Sequence, residues 1–119
     1  DELMVKLLFR PGTTQFIDNP QTTEPYPMWL SQIATRARQK GACLEIVGHT
    51  SRTGMPHLNE RLSVSRAQFI MDLLLTGMPD GRNRMIATGR GFKENLVGTG
   101  KDDASDALDR RVEFKVIGC

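Results

Sequence analysis

The chain has little cysteine, little histidine and few aromatic rings. Its 119 residues include two Cys, two His, one Trp, one Tyr and five Phe. No C-x-x-C pair occurs, so a thiol-redox motif is excluded. A structural zinc site would need Cys43, Cys119, His49 and His57 to converge, and their spacings do not follow the usual ligand patterns. So few rings leave little for a base-stacking platform. Charge of one sign is scarce too. Sixteen basic and fourteen acidic residues leave a net charge of +2, without the basic stripe that duplex nucleic acid requires. No apolar run approaches the roughly 20 residues of a membrane span. There is no signal peptide, and the chain opens on Asp1, so residues 1–119 are expected to be one domain cut from a longer protein. Any export signal, anchor or membrane helix is expected outside this piece.

What remains is an ordinary globular composition, 39% hydrophobic and 25% charged. Residues 4–9 read as a strand that Pro11-Gly12 ends. Residues 13–26 are polar, carry Pro20 and Pro25, and read as a loop. A helix is expected from Pro27 to Lys40, with Gly41 as its stop. Residues 42–48 form a mostly apolar strand, Thr50 to His57 a loop, and Leu58 to Thr76 the longest helix. Its expected apolar stripe is Leu62, Phe69, Ile70, Leu73 and Leu74. A turn over Met78–Asn83 leads to a short strand, Arg84 to Thr88, and a glycine-rich loop reaches to Leu108. In the last strand Val112, Phe114 and Val116 alternate with Arg111, Glu113 and Lys115, which predicts one buried and one wet face. The order βαβαββ points to an α/β (α+β) two-layer sandwich, with helices against one mixed four-stranded sheet.

The chemistry gathers where the second strand ends. Gly48-His49-Thr50-Ser51-Arg52-Thr53-Gly54 leaves that strand, and Asn59-Glu60-Arg61-Leu62-Ser63-Val64-Ser65-Arg66-Ala67 opens the long helix. Ligands of α/β sheets collect at such strand ends. Gly48 and Gly54 permit positive φ or a close backbone approach. Asn59 is a candidate helix cap or loop brace. Arg66 shares a helical face with Asn59 and Leu62, in line with the apolar Phe69 and Leu73. A guanidinium there must reach water, pair with an internal acid, or receive a ligand carboxylate in a bidentate fork. Arg61 falls off this face. His49 lacks the nucleophile elbow that would make it a catalytic base, and His57 reads as loop. Gly89-Arg90-Gly91 is a weak anion-cradle signal.

These motifs, in this order, resemble the OmpA-like C-terminal domain family. That family is the peptidoglycan-binding module of outer-membrane proteins, peptidoglycan-associated lipoproteins and flagellar stator proteins. The family pattern is G-H-T-D-x-x-G, then N-x-x-L-S-x-x-R-A, then G-x-G, then N/D-R-R-V-E. Here the pieces are Gly48 to Gly54, Asn59 to Ala67, Gly89 to Gly91, and Asp109-Arg110-Arg111-Val112-Glu113, over roughly residues 5–117. The resemblance implies non-catalytic binding of the diaminopimelate residue of the peptidoglycan stem peptide. It implies no cofactor and a periplasmic location, with membrane attachment through the rest of the protein. It makes Arg66 the carboxylate partner, with Thr50, Asn59, Leu62 and Arg110 lining or bracing the pocket. Ser51 stands where the family has Asp, and a hydroxyl cannot neutralise an ammonium. Asp106 is a candidate compensating acid; its alternative is a solvated loop acid. Either peptidoglycan binding persists in weakened form, or the fold serves as a protein-interaction module for other envelope proteins.

In the family sheet the last strand lies between the first and second. The resemblance therefore brings Cys43 and Cys119 close enough for a disulfide, the alternative being two free thiols.

Overall fold

Strands form where apolar residues alternate, and the sheet register stacks those residues on one side. The structure is a computed structural model that describes residues 2–39, 41–51, 54–93 and 108–119. Its strands are β1 (Glu2–Leu8), β2 (Ala42–Gly48), β3 (Met85–Gly89) and β4 (Arg111–Gly118), in the spatial order β1-β4-β2-β3. β4 runs antiparallel to both β1 and β2, and β2 runs parallel to β3, so the sheet is mixed, as the sequence implies. Leu44 lies opposite Val116 and Ile46 opposite Phe114. Leu44, Ile46, Val112 and Phe114 are all fully buried.

The helices α1 (Pro20–Thr23), α2 (Tyr26–Ala37) and α3 (Pro56–Gly77) join this sheet. α1 is an addition to the expected loop over 13–26. Asn19 Oδ1 accepts the Thr22 N–H and Pro20 occupies the first turn, the ordinary start of a helix. α2 starts one residue before the expected Pro27 and ends at Ala37, not Lys40. There Arg84 donates to the carbonyls of Arg38, Gln39 and Ala42. α3 starts at Pro56, so His57 is helical and Asn59 is not the cap; the capping position is Met55. The Met78–Asn83 turn is a 3-10 turn, Pro79–Arg84.

The buried stripe of α3 also differs from the expected one. It runs through Asn59, Ser63, Arg66, Ala67, Ile70, Met71 and Leu74, each three or four residues from another member of the stripe. Leu62, Phe69 and Leu73 sit half-buried on its flank. The stripe is polar towards the N-terminus of the helix and apolar towards its C-terminus. Only the apolar half belongs to the core cluster with Leu7, Phe9, Ile33 and Leu44. Cys43 and Cys119 are joined in a disulfide, which ties the start of β2 to the end of β4.

Candidate functional site

The polar half of α3 packs against the ends of β2 and β3, and glycine makes this possible. A Cβ on Gly48 would lie 1.8 Å from the Ser63 carbonyl oxygen, and one on Gly89 would lie 2.2 Å from Ser63 Oγ. The room at Gly48 is therefore taken by the helix backbone rather than kept for a ligand. Gly54 and Gly91 do adopt positive φ, +89° and +55°. Ser63 Oγ donates to Glu60 O and accepts the Gly91 N–H at 3.0 Å. Gly91 O in turn accepts the Thr50 N–H, and Gly48 O accepts the Arg90 N–H. The G-x-G turn thus braces the loop that leaves β2. Ser63 serves as a buried brace, not as an exposed nucleophile.

Arg66 sits at the centre and has no exposed surface. Its Nε donates to Thr13 O at 2.8 Å, its Nη1 to His49 O at 3.0 Å and its Nη2 to Arg10 O at 3.0 Å. The Phe9 ring lies under the guanidinium, 5.4 Å from Cζ. Of the three fates the sequence left open, it follows neither of the first two: it does not reach water, and among the described residues no carboxylate pairs with it. Backbone carbonyls hold it instead. Burial, and then the charge of Arg110, lower its pKa to about 10, so it remains a cation at neutral pH. Arg110 Nη1 donates to Ser51 Oγ at 3.4 Å. Thr50, Ser51, Asn59 and Arg110 are all buried. The structure thus gathers Thr50, Ser51, Asn59, Arg66 and Arg110 at the ends of β2 and β4. Leu62 stays on the flank. Asp106 lies outside the described residues.

A second polar cluster has no counterpart in the sequence reading. The expected wet face of β4 is not wet at Arg111, which is only 2% exposed. Arg111 Nε donates to Glu113 Oε1 at 2.7 Å, and His49 Nε2 lies 3.2 Å from the same oxygen. Lys6 Nζ is 3.4 Å from Glu113 Oε2, and Asp109 Oδ1 is 3.8 Å from Arg111 Nη1. Burial alone would raise the pKa of Glu113. The hydrogen bond and charge of Arg111, with His49 and Lys6, outweigh it and hold the carboxyl below its usual range. Burial and the nearby Arg111 push the His49 imidazole down to about 4, against the opposing pull of Glu113. His49 is therefore neutral at pH 7. It links the two clusters, since its carbonyl accepts from Arg66 while its N–H donates to Arg111 O at 2.8 Å. The signal in the sequence is the repeated arginine of Asp109-Arg110-Arg111, whose members serve different clusters.

No family model matches the chain. Outer membrane protein A of Shimwellia blattae is 31% identical over 108 residues, covering 83% of this chain and 44% of that protein. The peptidoglycan-associated lipoprotein of Legionella pneumophila is 36% identical over 75 residues, covering 62% of this chain and 41% of that protein. The crystal structure of the peptidoglycan-associated lipoprotein from Burkholderia pseudomallei superposes with a TM-score of 0.77 at 24% identity. That superposition covers 94% of this chain and 89% of the other. The fold is the one these proteins share. In sequence the chain is similar to these envelope proteins, and its fold is that of the OmpA-like domains among them. It spans less than half the length of the curated relatives it matches.

Proposed function

We propose that this domain holds an envelope protein to the cell wall, without catalysis, by binding the peptidoglycan stem peptide at the end of β2. The observation that carries the reading is Arg66, a buried cation with no described carboxylate to neutralise it, beside a second guanidinium at Arg110. Its relatives named outer membrane protein A and peptidoglycan-associated lipoprotein support the class of ligand and an envelope location.

In this reading a diaminopimelate carboxylate takes the place of one of the carbonyls on Arg66, because a carboxylate is roughly twice as strong an acceptor as a neutral oxygen. Arg110 strengthens the positive field. Thr50, Asn59 and Leu62 shape the pocket. Ser51 receives the ammonium end through its hydroxyl. Loss of a charge-assisted contact there weakens binding by about 1.5–3 kcal/mol, roughly ten- to a hundredfold. Asp106 is proposed as the acid that offsets part of this loss. The serine also favours a second reading, a protein-interaction module on the same fold.

Co-sedimentation with diaminopimelate-containing sacculi separates the two. The parent is expected to sediment, Ser51→Asp to bind about tenfold more tightly, and Arg66→Lys to bind less, since an ammonium cannot serve three carbonyls and a carboxylate at once. A folded parent that stays in the supernatant would leave the interaction module as the standing function.

A further inference from the structure

A cavity lies between α2 and the C-terminal half of α3, and none of its lining residues belongs to the loop after β2. It encloses about 580 Å³, within the usual range for a small-molecule site. Its walls are apolar: Phe16 and Tyr26 at one end, Leu30, Leu73 and Leu74 along its length. Arg38 stands at the other end, twelve residues along from Tyr26, or about 18 Å at the helical rise. Its Nη2 donates to the Gly77 carbonyl at 2.7 Å, which satisfies the C-terminal end of α3. A second guanidinium, Arg84, covers the carbonyls that end α2. The negative ends of both helices are therefore already occupied by cations. Among the described residues neither arginine pairs with a carboxylate. An elongated apolar trough thus ends in an excess of positive charge.

We infer that this trough binds an amphipathic carboxylate, an aliphatic chain with an acid head, its chain against Phe16, Tyr26 and Leu30 and its head on Arg38. An anion-free apolar ligand would leave the Arg38 charge without a carboxylate partner, and a cationic one would be repelled. The inference is independent of the peptidoglycan site, with which the trough shares no residue.

The protein carries its own reporter. Trp29 is the sole tryptophan and lies 5.4 Å from the Tyr26 ring, centroid to centroid. Decanoate, decanol and decyltrimethylammonium are titrated into the protein while Trp29 emission is followed. Decanoate is expected to give a saturable change, decanol to bind at least about tenfold more weakly, and the ammonium amphiphile more weakly still. Arg38→Gln, which keeps an amide to donate to Gly77, is expected to bring decanoate down to the level of decanol. Ser31→Phe, at the exposed rim, is expected to weaken both by filling the trough. No saturable response to decanoate, equal affinity for the three probes, or an Arg38→Gln protein that binds decanoate as the parent does would each overturn the assignment.

Discussion

Replacing Gly48 by alanine tests how the candidate site is assembled. The added Cβ would lie 1.8 Å from the backbone oxygen of Ser63 and 2.8 Å from its carbonyl carbon. Backbone cannot rotate aside as a flexible side chain can, so the helix must move. The contact has to open by about 1.2 Å to reach even the 3.0 Å that real Cβ atoms keep. Because α3 also meets β3 closely at Gly89, the helix cannot tilt there without lifting Ala67 and Ile70, both fully buried, from the sheet. Overpacking of this kind costs about 3 kcal/mol, the upper end of the usual range, because the clash is with main chain. At a urea slope of about 1.5 kcal/mol/M, the midpoint falls by about 2 M. The control is Gly77→Ala, where a Cβ meets nothing within 4 Å and φ is not positive; it should leave the midpoint unchanged or raise it slightly. Urea unfolding followed by circular dichroism reads both. If Gly48→Ala unfolds at the parent midpoint, the close seat of α3 on the sheet is not what positions Arg66.

The disulfide closes a separation of 76 residues, for which loop-closure entropy gives about 4.5 kcal/mol. Cys43→Ser/Cys119→Ser should therefore lower the melting temperature by more than about 10 °C, and denaturing thiol titration of the oxidised parent should find none free; two free thiols per chain, or an unchanged melt, would refute the link. Acid sensitivity should begin with His49. Unfolded, it takes up a proton near 6.5; folded, only near 4, so between those values the unfolded chain binds more protons and stability falls as pH falls. The loss approaches about 3 kcal/mol by pH 4, and His49 contributes no slope above its unfolded pKa. Glu113, held low, adds its own loss only at more acid pH, as the solution passes down through its folded pKa. Urea-derived stabilities from pH 7 to pH 4 should flatten in His49→Gln; an identical slope in both proteins would assign the acid loss elsewhere.

The sheet was legible because strand alternation is local information: Val112, Phe114 and Val116 announce their face without reference to any partner. α1 was legible in principle too, since Asn19-Pro20 is a cap followed by a first-turn proline, but four residues carry no periodicity to draw attention to them. The fate of Arg66 was not legible. Two of its three acceptors lie 53 and 56 residues away, and they are main-chain oxygens, which every residue possesses and no residue type betrays. The burial of Arg111 failed to show for a related reason. Alternation says which way a side chain points but not whether anything covers it. The clustering of Thr50, Ser51, Asn59 and Arg66 was readable because sequence places them on one loop and the helix it enters. Arg110 joins them only through the pairing of β4 with β2.

Arg66 makes the strongest case that this domain retains more than its architecture. A fully buried cation with no counter-ion among the described residues is a poor way to stabilise a core, since well-packed apolar residues of similar volume are often as good or better. The next turns of the same helical stripe show the alternative at work: Ala67, Ile70 and Leu74 do the packing on α3 with no charge at all. Three carbonyls satisfy the N–H groups but leave the charge itself uncompensated. The pKa lowered to about 10, with Arg110 among its causes, is the electrostatic trace of that residual cost. A stripe that switches from apolar to charged where it meets the end of the sheet keeps that cost in one place. The place is where the β2 loop, the G-x-G turn and the Arg110-Arg111 pair at the start of β4 converge, and an acidic ligand there would relieve it.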